Sequence, residues 1–226
     1  MAKIIPVIHI QNEHQVLINI ERCRVQGIKS FFLICHDYGF EAIDRLVNVA
    51  SVVDMVFDDL WLGVNFLQLQ NKGAVKKIND RDMRVDALWC DSGLIIGPGQ
   101  YEEAKQLSEQ LKAGKRSQNA IYFGGMDFKY QKAIRFQDRR EVYAEAVKYI
   151  DVITTSGDGT GKAPTAVKLA AIREMIGSHP MAVASGASAD NREMMEKYAD
   201  YILVATSITD PDEYINPEKL KRFLGI

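Results

Sequence analysis

The sequence has few cysteines, no long apolar run and almost no net charge, and each of these absences excludes a class of protein. Its three cysteines show no CxxC or Cys/His ligand spacing, which argues against a disulfide framework or a structural zinc site. No apolar stretch approaches the roughly 18 residues of a spanning helix, and the one after Lys3 is too short for a secretory signal. We therefore expect a cytoplasmic chain without a transmembrane segment. A formal charge of −2 gives no sequence-wide field to attract nucleic acid.

Eight short apolar segments recur along the chain, each followed by a stretch with helical spacing of its apolar residues. This alternation predicts an α/β fold made of a single (βα)8 TIM barrel domain over residues 1–226, close to the roughly 250 residues typical of such barrels. An open doubly wound sheet is the alternative, because alternation alone does not prove closure. The β-rich segment 52–57 could extend the second helix or form an extra strand. The predicted strands cover 3–10, 30–35, 60–67, 85–90, 120–123, 151–155, 181–185 and 201–205.

Polar residues are concentrated where the predicted strands end, which is where a (βα)8 barrel builds its active site. Asp91 and Asp127 follow strands four and five, and could act as general acid and base or hold a divalent cation; no other cofactor is predicted. Lys129 could pair with Asp127, and His9 near the end of strand one could move a proton. His36 could be a base oriented by the next residue, but neighbouring strand residues point to opposite faces. Structural salt bridges are the alternative interpretation of both acids.

A glycine-rich loop, 156–162, follows strand six. Its glycines let backbone N–H groups approach a ligand oxygen, and its threonine and Lys162 add a hydroxyl and a charge, so the loop is similar to a phosphate cradle. It is not a Walker loop, because Ala163 stands where that motif needs Ser or Thr. An ordinary flexible turn is the alternative. The candidate ligand-binding residues of this loop are Gly157, Asp158, Thr160 and Gly161.

Small polar residues also end strands seven and eight, where barrels often bind phosphate with backbone amides and a helix dipole. The acids Asp210, Asp212 and Glu213 follow strand eight, and no Lys or Arg lies near enough in sequence to offset them. Ser188 and Asp210 acting simply as helix caps is the alternative to a phosphate site. The candidate phosphate-binding residues are Ser185, Gly186, Thr206 and Ser207.

Six motifs in the same order and spacing give the chain a family resemblance. They are Pro6–His9, Gly63–Leu67, Phe128-Lys129, Ser156–Gly161, Ser185-Gly186 with Asn191, and Ala205–Ser207. Together they resemble the BtpA family, which includes a factor for photosystem I biogenesis and bacterial relatives associated with sugar-uptake operons. The resemblance implies a βα barrel related to the ribulose-phosphate-binding barrels. It also implies a ligand site made of His9, Asn65, Lys129, Thr160, Gly161, Ser185, Gly186, Thr206 and Ser207.

The chain departs from this family in two places. After strand five the family has an acid and two histidines around the lysine, whereas this chain has Gly125, Asp127 and Tyr130. After strand eight, Ala205 replaces a glycine and Thr209 replaces a lysine. Both changes remove groups that would bind an anion or move protons, whereas the inference of a barrel is unaffected.

These patterns lead to two functional hypotheses. The first is an enzyme that binds a small phosphorylated sugar-like or nucleoside-like metabolite and performs acid–base isomerase or lyase chemistry; no Gly-x-Gly-x-x-Gly follows the first strand, which disfavours hydride transfer. The second is a non-catalytic binding or assembly protein on a barrel scaffold. In either case we expect a homo-oligomer that associates through helix faces rich in Met and Tyr.

Overall fold

The strands of the barrel are parallel and close on themselves in the order in which they occur along the chain. The computed structural model describes residues 1–37, 39–69 and 71–226. The first strand pairs with the last, with Lys3 opposite Tyr201 and Pro6 opposite Val204. This closure confirms the predicted TIM barrel and makes the open doubly wound sheet wrong. The strands are β1 (Lys3–His9), β2 (Ser30–Ile34), β3 (Trp61–Asn65), β4 (Ala87–Cys90), β5 (Ile121–Gly125), β6 (Val152–Thr155), β7 (Met181–Ala184) and β8 (Tyr201–Val204).

Each strand is followed along the chain by a helix, and these helices cover the outside of the barrel. Residues 52–56 extend the second helix rather than forming a strand. None of the helices in the described ranges is long and apolar enough to cross a membrane. The helices are α1 (Glu13–Arg24), α2 (Phe40–Val56), α3 (Asn71–Asp80), α4 (Glu102–Lys112), α5 (Arg139–Tyr149), α6 (Ala166–Ile176), α7 (Arg192–Glu196) and α8 (Pro217–Leu224).

Aromatic side chains fill the interior of the barrel below the loops. The Phe32 ring makes edge contacts with Trp61, Trp89 and Phe123, at centroid distances of 5.5, 5.7 and 5.2 Å. Gly63 leaves the space for Phe32, since a Cβ on Gly63 would lie 2.2 Å from Phe32 Cε1. Close packing of this kind fills the interior of the barrel below the loops at the carboxyl ends of the strands.

A second apolar layer lies between the strands and the helices. The three cysteines are buried in it, as predicted. Asn191 and Asn216 are the N-cap residues of α7 and α8, so the interpretation of Ser188 and Asp210 as caps is wrong. The side chain of Asn216 accepts hydrogen bonds from two N–H groups in the first turn of α8, which fixes where that helix begins.

Candidate functional site

The loops at the carboxyl ends of the strands enclose an open cavity of about 600 Å³. Small-molecule sites commonly have volumes of roughly 300–1,000 Å³. Apolar side chains form much of the wall, among them Val7, Ile34, Trp89, Phe128 and Leu203. Nine predicted site residues also line the cavity: His9, Asp91, Lys129, Thr160, Gly161, Ser185, Gly186, Thr206 and Ser207. The barrel thus brings residues from six strand ends to one mouth.

Asp91 is the acidic side chain of this cavity, and Asn65 supports it from the end of β3. Asn65 is buried and does not line the cavity, but its Nδ2 donates a hydrogen bond of 3.2 Å to Asp91 Oδ1. Burial raises the pKa of Asp91, while the Asn65 hydrogen bond and the charge of Lys129 lower it. A carboxyl whose proton is held more tightly than usual suits a general acid.

Asp127 lies elsewhere, and its predicted role is wrong. It has a left-handed backbone conformation (φ 47°), and its carboxylate accepts hydrogen bonds from Arg139 (2.8 Å) and Tyr143 (3.0 Å) on α5. The side chain is only 6% exposed and is not part of the cavity wall. Asp127 is therefore a structural anchor for α5. It forms neither the predicted acid–base or cation-binding pair with Asp91 nor the predicted pair with Lys129.

Lys129 lines the cavity, whereas Arg139 forms the ion pair with Asp127. Its backbone N–H donates to Ser156 Oγ at 2.8 Å, and its ammonium lies 5.7 Å from the centre of the Phe128 ring. It is the only Lys or Arg on the cavity wall within the described residues. Its charge opposes the burial that raises the pKa of Asp91 and adds to the burial that lowers the pKa of His36.

His9 lines the cavity, and two neighbours define its environment. Its Nδ1 lies 3.2 Å from Glu213 Oε2, in the loop after β8. The ring of His36 contacts it edge-on at a centroid distance of 4.5 Å. Burial lowers the pKa of His36, and the nearby charges of His9 and Lys129 lower it further. Sequence reasoning placed His9 correctly but did not connect it to Glu213.

The glycine-rich loop after β6 contributes less than predicted. A Cβ on Gly157 would lie 2.3 Å from the carbonyl oxygen of Lys162, so this glycine allows the loop to fold back on itself. Asp158 is exposed, and neither of these two residues lines the cavity. Thr160 and Gly161 do line it, but the Gly161 N–H already donates to a side chain, the hydroxyl of the serine after β7 (3.1 Å). Thr160 and Gly161 thus form part of the wall of the site, whereas Gly157 and Asp158 do not.

Free backbone donors lie in the loops after β7 and β8. The N–H groups of Gly186, Ala187, Thr206 and Ser207 make no hydrogen bond to any residue that the structure describes. Ser207 Oγ is buried and likewise has no partner within those ranges. Asn191 fixes the first loop, because its Nδ2 donates to the Gly186 carbonyl at 2.9 Å and its Oδ1 accepts the N–H two residues further on at 2.9 Å. Clustered backbone donors of this kind can bind an anion.

The loop after β8 differs from the predicted phosphate site in its shape. Thr209 and Ile215 form an antiparallel bridge, and over 205–216 the described backbone contains no helix. Lys219 Nζ lies 2.8 Å from Asp210, so a cation offsets one of the three acids, contrary to the expectation. The helix α7 has five residues and starts well after the β7 loop, so the predicted helix dipole contributes little there.

The described residues contain no group of three or more His, Cys, Asp or Glu side chains that could hold a metal ion. The chemistry that this arrangement allows is proton transfer by His9 and Asp91 beside the Lys129 ammonium, with an anion bound by the β7 and β8 loops.

The chain is similar in sequence to an archaeal protein. No protein-family model matches the chain. The uncharacterized protein TK2179 of Thermococcus kodakarensis is 33% identical to it over 191 residues, which cover 78% of this chain and 68% of that protein.

Solved structures share the barrel. A 3-hexulose-6-phosphate synthase matches with a TM-score of 0.66 at 13% identity, over 98% of this chain and 99% of that chain. The N-(5'-phosphoribosyl)anthranilate isomerase of Pyrococcus furiosus matches with a TM-score of 0.65 at 10% identity, over 100% and 98% of the two chains. At such identities the similarity shows the fold alone.

Proposed function

The chain belongs to the same family as the Thermococcus kodakarensis protein TK2179, and we propose that it is an enzyme that binds a small phosphorylated, sugar-like or nucleoside-like metabolite at the mouth of its barrel. The proposed chemistry is acid–base isomerisation or a lyase reaction. The relation to the BtpA family and self-association are further proposals, which rest on sequence motifs and composition.

One observation carries this proposal, namely that the anion donors lie on one side of the cavity and Asp91 with Lys129 lies on the facing side. The β7 and β8 loops supply the free N–H groups of Gly186 and Ser207 and their neighbours. Asp91 and Lys129 lie at the ends of β4 and β5, across the barrel from β8 and β1. A phosphate held by one set would direct the rest of a small ligand towards the other. The names of the two solved structures above also contain a sugar phosphate, which supports the same ligand class.

The roles follow from the chemistry of each group. Asp91 donates a proton, because burial favours its protonated form. Lys129 stabilises negative charge that develops on the ligand, since an ammonium in a partly desolvated site acts strongly on a nearby oxyanion. His9 accepts a proton.

Thermal stabilisation by matched pairs of compounds tests the ligand class. Pentose, hexose and nucleoside monophosphates are compared with the same compounds without phosphate. A ligand at 100 times its Kd stabilises by about 2.7 kcal/mol, and each kcal/mol shifts Tm by roughly 2–4 °C in a chain of this size. Stabilisation by the phosphorylated members only is the expected result.

Two lysine variants show where such a ligand binds. Lys129→Met should reduce the shift in Tm, whereas Lys132→Met should leave it unchanged, because Lys132 is exposed and does not line the cavity. No stabilisation by any phosphorylated compound would overturn the proposal and favour a non-catalytic binding or assembly protein.

A further inference from the structure

Glu213 and His9 form a pair whose members are 204 positions apart in the chain: His9 lines the cavity, and Glu213 contacts it from the loop after β8. Their contact joins His9 Nδ1 and Glu213 Oε2 over 3.2 Å, and the two side chains are 20% and 32% exposed. Because Nδ1 is occupied by the carboxylate, Nε2 is the ring nitrogen of His9 that remains for a ligand. The loop after β8 therefore supplies a partner for the histidine in place of a phosphate-binding helix.

The backbone of Glu213 is held in an unfavourable conformation by two buried side chains. Its φ of 63° is left-handed, which a glutamate rarely adopts. Gln15 and Asn19 on α1 are fully buried, and their amide groups both donate to the Glu213 carbonyl oxygen, at 2.8 and 2.9 Å. Asn19 Oδ1 also accepts the N–H of Ile215 at 2.8 Å. Strain that is fixed by several contacts often marks a functional position.

One of these amides connects the two members of the pair directly. Gln15 Nε2 donates both to the Glu213 carbonyl oxygen and, at 3.1 Å, to the carbonyl oxygen of His9. The backbones of Glu213 and His9 are thereby hydrogen-bonded to the same buried amide group. Burying two amides on a helix face is costly unless both are hydrogen-bonded, and here each of them donates to the loop that carries Glu213.

We propose that Glu213 is a positioning residue that holds His9 as the Nδ1-protonated tautomer, with Nε2 unprotonated and ready to accept a proton from the ligand. The base of the proposed reaction is then His9, so the assignment rests on the proposed function for the identity of the ligand. In the step itself, Nε2 takes the proton of a ligand C–H or O–H bond. The electron pair of that bond stays on the ligand, and the Glu213 carboxylate stabilises the imidazolium that forms.

The tautomer of His9 is measured by nitrogen NMR on the full chain without any ligand. The protein has four histidines, so ¹⁵N-histidine labelling gives few signals, and His9→Gln identifies the one from His9. At a pH about two units above the usual histidine pKa, nearly all of the rings are neutral, so the signal reports which nitrogen of His9 carries the proton. We expect Nδ1 of His9 to carry the proton in the wild type, where it faces the Glu213 carboxylate, and in Glu213→Gln, whose amide oxygen can take the place of the carboxylate oxygen.

The carboxylate is removed with Glu213→Gly, because glycine adopts a left-handed backbone without strain and the loop should keep its shape. In this variant His9 should lose the fixed tautomer and show protonation of Nε2. Asp212→Ala is the matched control, since it removes an equal charge from the same loop and Asp212 does not contact His9; it should leave the tautomer unchanged. A wild-type His9 protonated at Nε2, or a tautomer that is the same in Glu213→Gly, would overturn the assignment.

This experiment separates the two proposals. If the tautomer depends on Glu213 but phosphorylated compounds do not stabilise the protein, the proposed ligand class is wrong and the positioning role stands. If phosphorylated compounds bind but the tautomer is independent of Glu213, the positioning role is wrong and the proposed ligand class stands.

Discussion

Asn65 binds the carboxylate of Asp91 from below, so the end of β3 supports an acid at the end of β4. The hydrogen bond of 3.2 Å is made by an asparagine that is 2% exposed. This support only partly offsets burial, and the pKa of Asp91 is therefore raised. Folding thus disfavours the ionised form of Asp91, a cost that is expected of a residue retained for chemistry.

Asp91→Asn should therefore stabilise the protein at neutral pH and weaken its function. A carboxyl whose pKa is raised by folding makes a contribution that is present below the unfolded value, about 3.9 for Asp, and lost as pH rises. The stability advantage of the variant should be smallest near pH 3 and should grow until the pH exceeds the folded value. Urea unfolding of both proteins at several pH values measures this difference. An advantage that is the same at all these pH values would contradict the prediction.

Gly186 should tolerate no side chain, because two loops meet there. A Cβ on Gly186 would lie 2.2 Å from the backbone nitrogen of Ala163, and its φ is 69°. Gly161 also has a left-handed φ, 73°, but nothing lies within 4 Å of its Cβ position. Gly161→Ala should thus cost only the conformational strain, about 1–2 kcal/mol. Gly186→Ala should cost more, since backbone must move, and should also weaken ligand binding. Urea unfolding checks the order, and equal losses would contradict it.

The fold was predictable because each strand and helix carries its own local signal. Continuous apolar runs such as 30–34 indicate strands that are covered on both faces, and Gly27 and Gly114 end helical patterns. Eight repeats of these signals fit a barrel. The strand boundaries in the structure differ from the predicted ones by one or two residues, as at β4, which starts at Ala87 rather than at residue 85. Closure itself is a long-range property, and only the pairing of β1 with β8 shows it.

The site was predictable where a residue follows its strand directly and not where the backbone turns sharply. His9 and Asp91 were placed correctly because parallel strands bring their ends together. Asp127 was misplaced because a single left-handed residue directs its carboxylate to α5. Glu213 was seen only as one member of an acidic run, because its partner is at the other end of the sequence. Contacts set by loop conformation leave no periodic signal in a sequence.

Asp127 should matter for stability rather than for chemistry. Tyr143 donates a hydrogen bond to its carboxylate, and burial raises the pKa of this tyrosine far above the usual range. Tyr143→Phe should cost about 1–2 kcal/mol, because a buried acceptor loses one partner. Tyr149→Phe, a half-buried tyrosine on the same helix, is the control and should cost less. Thermal unfolding measures both variants, and a Tyr143→Phe protein as stable as the wild type would show that this anchor is unimportant.

At position 213, glycine should destabilise the protein less than alanine does. At most positions glycine costs about 0.5–1 kcal/mol relative to alanine, because it is more flexible in the unfolded chain. At a φ of 63° the Cβ of any other residue is strained by about 1–2 kcal/mol, which reverses the order. Both variants lose the contact with His9, so the contribution of this contact to the free energy of unfolding cancels when they are compared. Glu213→Gly should therefore unfold at a higher urea concentration than Glu213→Ala. If alanine is equal or better, the loop does not hold Glu213 in a left-handed conformation, and the positioning of His9 by that loop loses its structural basis.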